Sequence, residues 1–155
     1  MRKYSFIILF FLFAPVTAGE TIQKFVPGSY QKILQAYKGE SFAMVLWSLD
    51  CPPCYKELAT LGRLRQQKKI NLVLISTDDS ANQKELLNVL ENSQLQQADV
   101  WVFSQGQAER LRYEIDNHWY GELPRSYLFS RNHQRQALSG VLSDKALTDW
   151  LKNNH

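Results

Sequence analysis

Two cysteines three positions apart are the residues of this 155-residue chain best suited to chemistry. Cys51 and Cys54 stand in the stretch Trp47-Ser48-Leu49-Asp50-Cys51-Pro52-Pro53-Cys54, and the chain has no third cysteine. A disulfide between them would close so short a loop that it takes little entropy from the unfolded chain, so reactivity explains the pair better than stability does. If the first cysteine sits where a helix begins, the unpaired N–H groups and the helix dipole favour its thiolate. Cys51 would then attack a disulfide, and Cys54, one turn further in, would resolve the mixed disulfide that forms. Other chemistries fit less well. A structural zinc site takes about four ligands, whereas the chain adds only His118, His133 and His155 to the pair. Covalent haem attachment calls for a histidine directly after the second cysteine, where this chain has Tyr55. Inert or metal-binding cysteines are the alternatives; the expectation is no metal, and no cofactor beyond the redox pair itself.

The surrounding sequence supplies elements that would place the pair at a strand-to-helix junction. Phe42 to Trp47 is a continuous apolar run, as in a central strand covered on both faces. Pro52 and Pro53 suit the first turn of a helix, where a missing N–H costs nothing, and Leu58, Leu61 and Leu64 give that helix a buried side to about Lys68. A second buried strand is expected from Ile70 to Ile75, ending at the polar loop Ser76 to Ser80. Leu86, Leu87 and Leu90 mark a helix, Asp99 to Phe103 a strand, and Ala108, Leu111 and Ile115 a further helix. Upstream, Tyr30, Ile33, Leu34 and Tyr37 repeat at helical spacing after Pro27-Gly28-Ser29 and stop near Gly39. Downstream, Arg125 to Ser130 and Arg135 to Val141 form an antiparallel hairpin about Arg131-Asn132-His133-Gln134. A closing helix from Ser143 carries Leu147, Trp150 and Leu151. Parallel β-α-β units followed by a hairpin describe an α/β sandwich with a central mixed sheet.

The first eighteen residues lie outside that domain. Arg2 and Lys3, the apolar run Phe6 to Phe13 and the small-residue end Val16-Thr17-Ala18 have the order of a signal peptide. The apolar stretch is shorter than the roughly 20 residues a membrane-spanning helix needs. Cleavage after Ala18 is expected, leaving one domain over residues 19–155, with an uncleaved N-terminal membrane anchor as the alternative. Either way the domain lies outside the cytoplasm, most simply in a bacterial periplasm. Without Arg2 and Lys3 the 18 basic residues fall to 16 against 15 acidic ones. So balanced a chain gives no electrostatic reason to bind nucleic acid. Arg63, Arg65, Lys68 and Lys69 are better placed on the solvated side and C-terminal end of a helix. A monomer is expected.

The segment from Trp47 to Cys54 resembles the active-site segment of thioredoxin-like proteins, and its Pro-Pro is similar to that of the TlpA/ResA-like branch, exported reductases of which several serve cytochrome c maturation. The resemblance extends over nearly the whole mature chain, through Leu74-Ile75-Ser76-Thr77-Asp78, Leu123-Pro124, Ser126-Tyr127-Leu128-Phe129 and Gly140. It implies a thioredoxin-like fold and the role of thiol–disulfide oxidoreductase. It also implies a cis bond at Pro124, with the backbone of Leu123 left to pair with an extended substrate chain. Trp47, Pro52 and Pro53 would pack around the disulfide. Partners would be proteins bearing disulfides or thiols, together with a thiol–disulfide electron donor that the sequence does not identify.

Two positions depart from the wider pattern. Asp50 stands where many members have an uncharged residue. A carboxylate beside Cys51 would disfavour its thiolate and lean the pair toward a reductant, unless it faces solvent and is screened. Thioredoxin also keeps a buried carboxylate two residues before the tryptophan, where this chain has Val45. Glu57, one helical turn after Cys54 and on the same side, matches a glutamate of the TlpA/ResA-like branch implicated in proton transfer, and that role is expected of it; its alternative is an ordinary surface glutamate. His118, Trp119 and Tyr120 would either form an aromatic lip for a partner or pack their own loop. The function expected is reduction of partner disulfides. The alternatives are an extracytoplasmic oxidase or isomerase using the same residues, or a non-catalytic binding or chaperone module on this scaffold.

Overall fold

The computed structural model describes residues 22–67 and 70–154. The leader and its cleavage site lie outside the described residues, as do Lys68 and Lys69. Helix α1 (Ser29–Ala36) follows a short strand β1 (Gln23–Phe25). Strand β2 (Phe42–Trp47) then leads into the long helix α2 (Pro52–Gln67). After them come β3 (Leu72–Ser76), a single 3-10 turn over Ser80–Asn82, α3 (Gln83–Asn92), β4 (Asp99–Phe103) and α4 (Ala108–Ile115). The chain closes with β5 (Arg125–Phe129), β6 (Arg135–Ser139) and α5 (Asp144–Asn154). The six strands form one mixed sheet in the order β1-β4-β3-β2-β5-β6.

Strand β2 is buried at all six positions because it lies inside the sheet, parallel to β3 and antiparallel to β5. The pleat sends its residues alternately to two cores. Ala43, Val45 and Trp47 join Leu58 and Leu61 of α2, Leu86 and Leu90 of α3, and Leu147, Trp150 and Leu151 of α5. Phe42, Met44 and Leu46 join Tyr30 and Ile33 of α1 with Leu111 and Ile115 of α4. Three helices therefore cover one face and two the other, the layered arrangement expected. Phe42 stacks on Phe129 of the neighbouring strand at 4.4 Å between ring centroids. Such cross-strand aromatic pairs help fix the register of β2 against β5.

One element and the bounds of four others differ from expectation. Strand β1 went unrecognised: it has three residues, only Phe25 is buried, and it exists because β4 offers it a parallel partner, Gln23 lying opposite Trp101. Strand β3 starts at Leu72 rather than Ile70 and takes in Ser76, whose side chain turns inward to the loop above it. Strands β5 and β6 stop at Phe129 and Ser139, short of Ser130 and Val141. The end of β6 is set by Gly140, at φ +82°, whose N–H donates to the Pro124 carbonyl at 2.9 Å. Ser143 caps the last helix rather than starting it, its hydroxyl accepting from the Ala146 amide at 3.1 Å.

Helix α2 packs closely against the end of α3 because residue 62 is glycine. A Cβ there would lie 1.9 Å from the carbonyl oxygen of Ser93, just beyond α3. The side-by-side packing of α2, which carries Cys54 and Glu57, against α3 depends on this contact.

Candidate active site

Cys51 and Cys54 are joined as a disulfide, with Cα atoms 5.3 Å apart, at the N-terminus of α2. Pro52 and Pro53 occupy the first two helical positions, where the helix has no use for their N–H groups. The Cys54 amide donates to the Cys51 carbonyl at 3.0 Å and starts the helical ladder. Cys51 is 7% exposed and Cys54 1% exposed, an asymmetry that suits an outer attacking sulfur and an inner resolving one. Both share a core cluster with fully buried Trp47, and Leu123 packs against the same cluster.

The turn before Cys51 is fastened to the end of β3 by Asp78, a residue of the polar loop and of the segment that carries the family resemblance, to which the sequence alone assigns no role of its own. One Asp78 oxygen accepts from the Ser48 hydroxyl at 3.0 Å; the other accepts from the Leu49 amide at 2.9 Å and the Ser76 hydroxyl at 2.6 Å. The Tyr55 hydroxyl donates to the Leu49 carbonyl at 2.8 Å and braces the turn from the other side. Asp50 is exposed, so solvent screens its effect on the cysteine beside it.

Glu57 is the buried acid of the site. It is 1% exposed, which rules out an ordinary surface glutamate. Ser126 of β5, itself fully buried, donates its hydroxyl to Glu57 Oε1 at 2.5 Å. Oε2 lies buried without a hydrogen-bond partner of good geometry among the described residues. Burial pushes the carboxyl above its ordinary value, and the pull of Ser126 and of the Leu142 amide in the opposite direction does not cancel it. Ser126 pairs directly with Val45 across β2 and β5. Glu57 of α2 therefore meets the sheet at the serine opposite Val45. Sequence reasoning missed Ser126; a lone serine between Arg125 and the apolar run Tyr127-Leu128-Phe129 was the available signal.

The Leu123–Pro124 peptide is cis and Pro124 is buried. The N–H and C=O of Leu123 make no hydrogen bond among the described residues. That leaves a short length of backbone able to pair with an incoming extended chain. The expected aromatic lip divides. Trp119 packs its own loop, 5% exposed, with its indole N–H on the Glu122 carbonyl at 2.9 Å, while His118 and Tyr120 stand in solvent. Among the described residues, no three His, Cys, Asp or Glu side chains gather as metal ligands, and no helix is long and apolar enough to cross a membrane.

A mixed sheet with a Cys-x-x-Cys disulfide at the β2–α2 junction and a cis-proline directly before β5 defines a thioredoxin-like fold, and solved structures agree. The chain is similar to a secreted Mycobacterium tuberculosis disulfide oxidoreductase homologous to DsbE of E. coli, at 13% identity and TM-score 0.59, over 77% of this chain and 85% of that one. It is similar to StoA from Bacillus subtilis at 19% identity and TM-score 0.54, over 74% and 84%. A thioredoxin-family thiol:disulfide interchange protein from Chlorobium tepidum aligns at 15% identity and TM-score 0.61, over 78% and 83%. No protein-family model and no curated protein matches the sequence.

Proposed function

We propose that this chain is an extracytoplasmic thiol–disulfide oxidoreductase of the TlpA/ResA-like kind that reduces disulfides in partner proteins. The observation that carries the proposal is the Cys51–Cys54 disulfide at the start of α2, with Cys51 the more exposed residue of the pair and a buried acid one helical turn after Cys54. The class of the similar solved structures points the same way.

In the reduced chain the N-terminus of α2 stabilises the Cys51 thiolate. That thiolate attacks one sulfur of a partner disulfide, forming a bond between Cys51 and the partner and releasing the partner's other sulfur as a thiolate, which takes a proton from solvent. The Cys54 thiol passes its proton to the Glu57 carboxylate and attacks the Cys51 sulfur. The mixed disulfide breaks, and the second partner sulfur leaves as a thiolate that takes up a proton from solvent while Glu57 returns its own to solvent. The partner departs as a dithiol with Cys51–Cys54 oxidised. Two electrons have moved from this chain to the partner, and an external dithiol donor must return them. An acid whose proton affinity is raised by burial is better matched to a thiol than an exposed glutamate would be. Leu123 offers its free backbone to the partner chain and Pro124 shapes that approach; Trp47, Pro52 and Pro53 pack the pair. Action in the periplasm after removal of residues 1–18, and service in cytochrome c maturation, are the finer parts of the same proposal.

Asp50 stands in solvent, where screening weakens its effect on Cys51, so the direction of electron flow is read from the reduction potential. Equilibration against glutathione should give a value nearer thioredoxin's roughly −270 mV than the strongly oxidising end of the scale near −120 mV. A potential at the oxidising end would assign the pair to disulfide formation instead.

A further inference from the structure

The loop that presents Leu123 and Pro124 is held from below by an ionic network outside the cysteine site. Asp116, just past α4, is 6% exposed and accepts on both oxygens. Its Oδ2 takes the Arg125 guanidinium at 2.9 Å and the Tyr127 hydroxyl at 2.9 Å. Its Oδ1 takes the His118 amide at 3.1 Å, and Arg135 approaches it at 3.6 Å. Arg125 is the residue directly after Pro124, so the Asp116–Arg125 pair ties together the two ends of the loop 117–124. The same guanidinium reaches the Ser139 hydroxyl at 2.5 Å and Glu122 at 3.4 Å, and lies 5.0 Å from the centre of the Tyr127 ring. Arg135 lies 4.9 Å from that ring and donates to the Ile115 carbonyl at 2.6 Å. From within the loop, Trp119 donates its amide to the Asp116 carbonyl at 3.0 Å.

None of these groups belongs to the proposed exchange chemistry. Two arginines, a tyrosine and a backbone amide converge on one nearly buried carboxylate, and the segment they close carries unpaired backbone beside a cis-proline. Charge-assisted bonds of this kind are strong and directional. A loop fixed before its partner arrives loses less freedom on binding.

We infer that Asp116, acting through Arg125 and Tyr127, is a positioning residue that holds the Leu123–Pro124 loop ready to pair with an extended segment of a protein substrate. The inference rests on the exchange function proposed above. It assigns the network to docking and not to the reactivity of the cysteines, and these two roles separate in an experiment.

The test compares the wild-type chain with Asp116→Asn and Arg125→Lys, each kept reduced by an external dithiol whose uncatalysed background is subtracted, on two substrates: a disulfide-bearing protein, such as insulin, and the small aromatic disulfide dithiobis(nitrobenzoate). Asparagine keeps the shape but replaces an acceptor with a donor facing the arginine or the amide. Lysine keeps the charge but loses the fork that spans Asp116, Ser139 and Glu122. Each variant should raise KM for the protein about tenfold, through the added cost of ordering the loop. The kcat and the rate with the small disulfide should stay within about twofold, since a small probe needs no docking loop. Should Asp116→Asn fail to fold, Arg125→Lys and Tyr127→Phe, which removes one donor, are measured in its place. An unchanged KM overturns the inference, as does a parallel fall with both substrates. A wild-type chain that reduces neither substrate overturns the exchange function itself, and this proposal with it.

Discussion

Replacing Glu57 with glutamine removes a titrating group that the fold holds against its preferred charge. The side chain is 1% exposed, with one oxygen on Ser126 at 2.5 Å and the other without a partner of good geometry. Burial therefore raises its proton affinity in the folded chain above that of the unfolded chain. Below the ordinary carboxyl value of about 4.3, both states carry the proton and there is no penalty. As pH rises from there to the raised native value, unfolding releases a proton, and the wild type loses up to about 1.4 kcal/mol of stability per pH unit. Above the native value the loss is complete and the curve levels. Glutamine keeps an acceptor for Ser126 and does not titrate. At pH 4 the two chains should differ by no more than about 1 kcal/mol, the worth of one altered hydrogen bond, and the balance should then swing toward Glu57→Gln as pH rises. Urea unfolding of the oxidised chains from pH 4 to pH 8, followed by tryptophan fluorescence, reads this difference directly. Parallel curves would refute the buried-acid argument. Stopped-flow release of a mixed disulfide at Cys51 supplies a second reading: loss of the proton acceptor should slow resolution by Cys54 about 100-fold.

Three other perturbations test the scaffold around the site. Gly62→Ala forces a Cβ to 1.9 Å from the Ser93 carbonyl oxygen and should cost about 1–3 kcal/mol in urea unfolding, through displacement of α2. Phe42→Ala empties a site that is 0% exposed and stacked on Phe129, at a cost of about 3–5 kcal/mol by the same measurement. Asp116 behaves oppositely to Glu57. Burial raises its carboxyl, but the His118 amide, Arg125, Tyr127 and Arg135 outweigh this and hold it below the ordinary range. Its contribution is therefore present above about pH 3.9 and lost as pH falls through the lower native value. Asp116→Asn should be less stable than the wild type at pH 5, and the gap should narrow on acidification.

What the sequence revealed follows from how local each signal is. Phe42 to Trp47 is legible because a strand buried on both faces must be apolar throughout, and Pro52-Pro53 because two prolines after a strand fit little besides a helix start. The cysteine pair announces its chemistry through its isolation. Strand β1 was hidden, since Gln23-Lys24-Phe25 acquires strand geometry only by lying along Trp101 to Phe103. Ser126 was hidden for the same reason: its meeting with Glu57 spans 69 positions and depends on the β2–β5 register. Asp116 and Arg125, nine apart, look like ordinary surface charges until the loop between them closes. Asp50, conspicuous beside Cys51, proved exposed, because the turn is fixed from within by Asp78 instead.

The most direct test of the exchange mechanism is mapping the mixed disulfide formed by Cys54→Ser. With the resolving sulfur gone, the reduced variant should accumulate a stable adduct with a disulfide-bearing protein, and peptide mass mapping should place the bond at Cys51. Cys51→Ser should accumulate far less, since Cys54 is 1% exposed. An equal or greater yield at Cys54, or no adduct from Cys54→Ser, would contradict the assignment of Cys51 as the attacking sulfur.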